Sequence, residues 1–544
     1  MIPLGGVGEI GKNMMAVAHG GEFIVLDAGL MFPDEQMLGV DLVIPDIAWL
    51  VANRENVRGI FLTHGHEDHI GGLPYVLRDV QAPVYATKLT LGLVRRKLEE
   101  HRISDHWLNE VQAGDRIKLG GFDVEFIQVA HSIPDACSLA VRTKAGILVH
   151  TSDFKLDPLP VDGRHTNVGR FAELGTEGVL ALTSDSTNIE HAGYTQSESI
   201  LTATFDRIFS QTTGRIIAAS FASNIHRIQQ IADLTIKHGR QLAVLGRSME
   251  QNVRTARELG YLTIPDWGII GIDEAETRPP HEVTVMTTGS QGEPLAVLAR
   301  LSTDDHRKLK IKEGDTVIIS AKPIPGNENL VQRVINNLFR RGAHVIYDDL
   351  EPVHVSGHAN REELRLMLNL VKPQYVVPVH GEYRHLVKYG EMAVESGYRG
   401  ADVFHTEVGD VLELTRESAR VIGRVPQSGN VLVDGLGVGD VGDLALRDRS
   451  HLASDGVLVV VASVDQHTGQ ILAGPDIFAR GVMDDEEEFI SEAREVVAER
   501  FAAISPAAAT DISTAKAEIR SALSKFVNTR TRRRPVIIPI VMEV

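Results

Sequence analysis

Seven consecutive residues, Thr63-His64-Gly65-His66-Glu67-Asp68-His69, constrain this chain more than any other stretch. Four of them, His64, His66, Asp68 and His69, are metal-ligand types within six residues. Imidazole with carboxylate is the usual donor set of hydrolytic zinc and manganese. The preceding Val57–Leu62 is short and mostly apolar, as a buried strand is. From Asp68 to Asp79 the chain reads as a helix, with Ile70, Leu73, Val76 and Leu77 at helical spacing and Asp68 where a helix start favours a carboxylate. The four ligand types therefore occupy a strand-to-helix loop, where α/β proteins commonly place chemistry. His64 and His66 alternate along an extended segment and can reach one ion; Asp68 and His69 sit a step further and can reach a second. The pattern predicts metal-assisted hydrolysis.

This spacing resembles that of the metallo-β-lactamase superfamily, which implies further ligands at the tips of later strands in a fixed order. Such positions occur. Val124–Ala130 ends at His131, Gly146–Ser152 at Asp153, and Tyr375–Val379 at His380, while upstream Phe23–Leu26 ends at Asp27. The resemblance implies a site for two divalent ions, zinc or manganese. One would take His64, His66 and His131, the other Asp68, His69 and His380, with Asp153 bridging and a hydroxide shared between them. Asp27 is expected to orient a ligand histidine from behind.

At 544 residues the chain is expected to hold three or four domains. Its 43% hydrophobic and 24% charged residues are those of an ordinary globular protein. The single cysteine, Cys137, cannot form an internal disulfide, which points to a reducing compartment. No segment is apolar enough to span a membrane, and Met1–Gly6 lacks the basic start and apolar stretch of a signal peptide, so the cytoplasm is expected. A net charge of −18 argues against a polyanionic partner. Local fields and bound divalent ions govern a site more than the total does. Basic runs occur at Arg95-Arg96-Lys97, Arg340-Arg341 and Arg530–Arg534. They read as solvated faces, the last being the best candidate for a binding patch.

The ligand pattern stops near residue 195 and resumes at His380, as if a second module had been inserted. The intervening stretch alternates strands (215–219, 241–245, 283–287, 316–320, 343–347) with helices (225–238, 329–341), a rhythm that predicts a parallel sheet. The expected fold class is α/β. It comprises an αββα core of residues 1–195 and 358–438, an inserted α/β domain of 196–357, a glycine-rich linker of 439–450, and a small α+β domain of 451–544. In that last domain strands are expected at 456–462 and 535–541 and helices at 485–502 and 510–527, the acidic run Asp484–Glu488 supporting the start of the first.

A core split in this way resembles the β-CASP branch of the superfamily, whose members cleave nucleic acids. The branch implies an acidic residue after a strand, here Asp185 after Val179–Ser184, then histidines matching His358 and His380. A histidine at the last position goes with RNA rather than DNA. Pro3–Asn13, Ser220–Arg227 and Pro378–Arg384 are similar to bacterial ribonuclease J, a resemblance that covers the whole chain. Its relatives often carry several residues ahead of the first strand, so an N-terminal extension is expected. The resemblance implies RNA decay and maturation by 5′-to-3′ exonuclease action on 5′-monophosphate ends, with endonuclease activity as well. Further implications are a homodimer or tetramer and partnership with an RNA helicase in a degradosome-like assembly. Asp68, His69, Asp185 and His358 are the expected catalytic residues. Attack on phosphorus would leave 5′-phosphate and 3′-hydroxyl products, with His358 steadying the scissile phosphate and protonating the 3′-oxygen. The hydroxyls and free N–H groups of two loops suit a terminal phosphate. Ser220, Ser223, Asn224, His354, Val355, Ser356, Gly357 and His358 are therefore the expected binding residues. Three rivals stand beside this reading. Small-molecule hydrolysis would need no insert, a DNA nuclease is disfavoured by His380, and a non-catalytic RNA-binding scaffold is disfavoured by the complete ligand set.

Overall fold

A computed structural model describes residues 1–34, 36–291, 296–323, 327–468, 470–483, 487–503 and 505–544. It divides into two compact units, Met1–Phe32 with Leu42–Val431, and Pro33–Asp41 with Leu432–Val544.

Two six-stranded sheets form the middle of the first unit. One orders Ile2–Gly5, Met14–His19, Glu22–Leu26, Val57–Phe61, Val84–Thr87 and Leu108–Val111. The other orders Tyr375–Val379, Ala181–Asp185, Ile147–His150, Cys137–Arg142, Phe122–Gln128 and Arg116–Leu119. Ile24, Leu26 and Phe61 from the first meet Phe126, Leu139 and Val377 from the second in one buried cluster. Helices Leu73–Asp79 and Lys88–Glu100 cover the outer face of the first sheet. Helices Val168–Glu177, Arg361–Val371 and Tyr383–Glu395 cover that of the second. The layers are helix, sheet, sheet, helix.

Between Asp185 and Tyr375 the chain builds a third sheet of six strands, all parallel. The order is Ile269–Ile270, Gln241–Leu245, Val283–Thr287, Ile216–Ala219, Thr316–Ile319 and His344–Tyr347. Near-continuous apolar strands such as Ile216–Ala219 suit a sheet buried on both faces. Parallel pairing requires the helical crossovers seen at Ile225–Lys237, Arg247–Leu259 and Glu328–Arg340. The insert leans on the core where helix Arg247–Leu259 meets helix Lys88–Glu100. A Cβ on Gly92 would lie 2.5 Å from Leu259 Cδ1 and 3.0 Å from Thr255 Cγ2, so a side chain here must displace those of the facing helix. Arg96 clamps the same junction, donating to the Gln251 carbonyl at 3.1 Å and the Thr255 hydroxyl at 3.0 Å.

The expected helix Asp68–Asp79 is instead two helices, Glu67–Ile70 and Leu73–Asp79. The break at Gly71-Gly72 has a steric cause. A Cβ on Gly72 would lie 2.4 Å from the Gly29 carbonyl oxygen, and the Gly72 amide donates to the Ala28 carbonyl at 2.8 Å. The turn after Asp27 is thereby pressed against the ligand loop.

The second unit has a three-stranded sheet with Val457–Val464 in the centre, antiparallel to Ile471–Arg480 and parallel to Val536–Glu543. The middle strand in sequence, Ile471–Arg480, is absent from the sequence reading. Helices Glu487–Ala503 and Ile512–Thr531 bury Phe489, Val497, Ile519 and Leu523 against one sheet face. The other face exposes Leu472, Phe478, Ile538, Ile540 and Met542. Residues 439–450, expected as linker, run into a helix at Asp443–Asp455. Of the acidic run, Asp484, Asp485 and Glu486 lie outside the described residues, and the helix is described from Glu487. Among the described residues no helix is long and apolar enough to cross a membrane.

Candidate metal centre

Strand tips from both core sheets converge. Glu22–Leu26 delivers Asp27, Val57–Phe61 delivers the loop of His64 and His66, and Phe122–Gln128 leads to His131. Ile147–His150, Ala181–Asp185 and Tyr375–Val379 lead to Asp153, Asp185 and His380. Asp27, Ser152 and His380 have φ of +59°, +52° and +51°. Residues with side chains rarely adopt this left-handed backbone, at a cost of about 1–3 kcal/mol each. Each such turn lies at the point where a strand gives way to the centre.

Three overlapping groups result, His64–His66–His131–Asp153, Asp68–His69–Asp153–His380 and Asp153–Asp185–His358–His380, each with its donor atoms within 4.8 Å of one another. In the first, His66 Nδ1 lies 3.1 Å from His64 Nε2 and 3.0 Å from His131 Nε2. Asp153 Oδ2 lies 3.5 Å from both His64 and His131. In the second, Asp68 Oδ2 lies 3.1 Å from His380 Nε2, and Asp153 Oδ2 lies 3.3 Å from His69 Nε2.

These residues fit divalent cations on two observations. Outer partners fix where the protons are. His131 Nδ1 lies 2.7 Å from the Gly357 carbonyl and His69 Nδ1 lies 2.8 Å from Asp27 Oδ2, both acceptors only. His131 Nε2 therefore turns a bare lone pair toward its neighbouring imidazoles, and His69 Nε2 faces the carboxylates of the second group. In addition, the buried Asp153 carboxylate faces imidazoles from both groups, with Oδ1 3.0 Å from His380 Nδ1 and Oδ2 3.3 Å from His69 Nε2. Burial and neighbouring imidazoles hold His64 and His131 well below the usual histidine range, and burial brings His66 down to about 4, so this trio stays neutral. In the second group burial pushes His69 and His380 down, but the carboxylates around them, Asp153 first, outweigh it and hold both well above that range.

Around the donors lies a ring of polar partners. Asp27 accepts from the Thr63 amide at 2.8 Å and the Thr63 hydroxyl at 2.9 Å while facing His69. The Thr187 hydroxyl donates to the His380 carbonyl at 2.8 Å, and the His380 amide donates to the Gly6 carbonyl at 2.7 Å. His358 Nδ1 lies 2.8 Å from Asp185 Oδ2, and its ring stands 5.2 Å from that of His131 and 5.3 Å from that of His380. Burial lowers His358, but Asp185 and Asp153 raise it above its ordinary value. Thr63, Thr187, Gly357 and Asn13 as partners of the centre are absent from the sequence reading. Thr63 stands at the head of the opening motif, Asn13 at the end of the Pro3–Asn13 segment and Gly357 among the expected binding residues, but none is assigned this role there.

The expected phosphate-binding residues divide. Ser356, Gly357 and His358 reach the centre, with Ser356 Oγ accepting from Asn188 Nδ2 at 2.8 Å and from the His358 amide at 3.1 Å. Asn224 caps the helix Ile225–Lys237, its Oδ1 accepting from the Arg227 amide at 3.0 Å. Ser220 donates to the Phe221 carbonyl at 3.1 Å, and Ser223 beside it is half-buried. Val355 packs into the apolar core, and burial with the Arg227 charge pushes His354 down to about 3. Beside His131 lies a narrow crevice of about 10 Å3, lined by Ala130, Asp135, Asp162, Arg164, Glu198 and His226. Of the basic runs, the first is engaged internally. Arg95 pairs with Asp105 at 3.0 Å and Lys97 with Glu67 at 2.6 Å, and Arg96 holds the insert.

Comparison with known proteins agrees with this layout. Residues 7–217 match the metallo-beta-lactamase superfamily and 213–338 the ribonuclease J beta-CASP domain. Residues 343–405 match a Zn-dependent metallo-hydrolase RNA specificity domain and 444–544 the ribonuclease J C-terminal domain. The chain is 42% identical to Ribonuclease J2 of Bacillus subtilis over 100% of its own length and 98% of the relative's. It is also 42% identical to Ribonuclease J of Thermus thermophilus, over 100% and 95%. Ribonuclease J of Helicobacter pylori is again 42% identical, over 90% of this chain and 72% of that one. A solved protein of unknown function from Enterococcus faecalis V583 shares the fold, with a TM-score of 0.50 at 19% identity over 70% of this chain and 93% of its own. With relatives aligned end to end on a split hydrolase core whose strand tips gather a histidine–aspartate cluster, the chain belongs to the ribonuclease J family.

Proposed function

We propose that this chain, a metal-dependent ribonuclease, shortens single-stranded RNA from 5′-monophosphate ends in the 5′-to-3′ direction and also cuts internally. The observation that carries the reading is Asp153, the one residue common to all three donor groups. Two divalent cations, zinc or manganese, are the proposed occupants. His64, His66 and His131 would hold one and Asp68, His69 and His380 the other, with Asp153 shared between them. When bound, such ions neutralise phosphate oxygens and make a water acidic enough to serve as nucleophile near neutral pH.

The chain's own residues do the rest. Thr63 and Asp27 fix the His69 ring so that Nε2 faces inward. Gly357 does the same for His131. Asp185 orients His358 and favours its protonated form, so its Nε2–H can steady the scissile phosphate and pass a proton to the departing 3′-oxygen. The products are then a 5′-phosphate and a 3′-hydroxyl. The 5′-monophosphate is proposed to meet Ser356, Gly357 and His358 on one side and the Ser220–Asn224 loop on the other. His380 supports RNA over DNA through the family pattern. A homodimer or tetramer is supported by the exposed apolar sheet face of the second unit. Cytoplasmic residence and a helicase-containing assembly follow the family alone.

The test offers the protein with manganese four 3′-labelled substrates: 5′-monophosphate, 5′-triphosphate and 5′-hydroxyl RNA, and single-stranded DNA. Mononucleotide release from the monophosphorylated RNA is expected. Equal rates on all four would remove the phosphate pocket, and retained turnover in Asp68→Ala or His69→Ala would remove the metal site.

A further inference from the structure

The glycine-rich loop Gly5–Asn13 is braided into the centre in a way the proposed chemistry does not use. The Asn13 amide donates to the Asp68 carbonyl at 2.8 Å, and the Asn13 carbonyl accepts from Gly29 at 2.9 Å. Its side chain then reaches the second donor group. Asn13 Nδ2 lies 3.2 Å from Asp68 Oδ2 and 3.1 Å from His69 Nε2. The Asn13 amide therefore donates to the Asp68 carboxylate and packs against His69 Nε2, whose other ring nitrogen faces Asp27. The opposite end of the amide is packed in place. A Cβ on Gly6 would lie 2.2 Å from Asn13 Oδ1, and Gly6 has φ of +75°, which side-chain-bearing residues rarely adopt. Gly6 also takes the amide of His380. One short loop thus contacts Asp68, His69 and His380 together. Among the described polar contacts of Asn13, none goes to His64, His66 or His131.

We propose that Asn13 is a positioning residue selective for the second cation subsite, holding the Asp68 carboxylate and the His69 ring at ligand spacing before the cation arrives. This rests on the two-cation reading above. Without Asn13, the partly exposed Asp68 side chain keeps, among the described residues, only His69 and His380 as partners, whose nitrogens are themselves proposed ligands, and it must be ordered by the incoming ion. Outer partners of this kind are worth roughly ten- to a hundredfold in metal affinity.

The experiment is a manganese titration of the chelator-stripped full chain by calorimetry, wild type against Asn13→Ala. The backbone bonds of residue 13 do not depend on its side chain, so the stripped variant should melt with the wild type. If alanine impairs folding, Asn13→Ser carries the same comparison. Two binding steps are expected in the wild type, and one step weakened about tenfold in the variant with the other unchanged. Two unchanged steps, or equal weakening of both, would overturn the proposal. The underlying reading fails separately, by a wild type that binds fewer than two ions or a His64→Ala variant that keeps both steps.

Discussion

The insert is joined to the core at a buried ion pair whose removal should be costly. Arg227 and Glu198 are 0% and 1% exposed, with Arg227 Nη2 2.6 Å from Glu198 Oε2. Glu198 stands where the chain leaves the core. Arg227 also donates to the Val353 carbonyl at 2.9 Å, where the chain returns, and to the Ser320 hydroxyl. Burial alone would raise the Glu198 carboxyl, yet Arg227 and Lys155 keep it below its usual range, so the carboxylate is charged at neutral pH. Glu198→Ala strands a guanidinium away from water. Breaking a buried pair from one side costs about 3–5 kcal/mol, whereas replacing both partners with apolar groups is often neutral. The double variant Glu198→Leu/Arg227→Met should therefore recover most of the loss, within about 2 kcal/mol of wild type once the bonds to Val353 and Ser320 are counted. Trp49, Trp107 and Trp267 all lie in the first unit, so tryptophan fluorescence in urea follows this unit. A single variant costing under about 1 kcal/mol would refute the argument. So would a double variant as unstable as the two single changes added together.

Three further outcomes follow from the site and its supports. Asp185→Asn should leave cation content unchanged while lowering RNA turnover on the order of a hundredfold, because His358 loses its orienting charge; unchanged turnover in a quenched-flow assay would count against the role of His358. His69 and His380 sit well above the ordinary histidine range in the cation-free protein and so are protonated at neutral pH. Cation uptake should then release protons and weaken as pH falls, and calorimetric enthalpies identical across buffers of different ionisation heat would contradict this. Gly92→Leu should force the two junction helices apart at about 1–3 kcal/mol, read as a lower urea midpoint by tryptophan fluorescence; a midpoint equal to wild type would show that the junction yields freely.

Strand tips were legible because a parallel or central strand must be apolar along its length. The first polar residue after it marks where the sheet ends and presents its chemistry. Tyr375–Val379 followed by His380 is of this kind, and the structure puts His380 Nε2 3.1 Å from Asp68 Oδ2 across 312 residues of chain. What resisted reading lacks a side-chain signature. The carbonyl of Gly357 behind His131 is a backbone atom, which any residue supplies. The break at Gly71-Gly72 depends on a turn forty residues upstream pressing on the helix, and periodicity within the helix carries no trace of that. Strand Ile471–Arg480 contains Gly474 and Pro475, which interrupt the alternation that marks a strand. Arg96 looked like part of a solvated basic run because charge in sequence does not reveal whether an acceptor waits on another helix.

These unread contacts share a direction, since several tie the inserted domain to the chemistry. The segment returning from the insert, Val353–His358, begins at the Arg227–Glu198 pair and ends with Gly357 on His131 and His358 on Asp185. A shift of the insert relative to the core must therefore drag the carbonyl that fixes His131 and the ring proposed to face the scissile bond. A near-attack arrangement loses rate steeply with displacements of about 1 Å. The insert is thus wired into the centre through a few residues, and a substrate long enough to lie along both domains can influence the chemistry by how it seats them. A short substrate held by the core alone leaves that path idle, which is why the activity of this chain should depend on RNA that spans both parts.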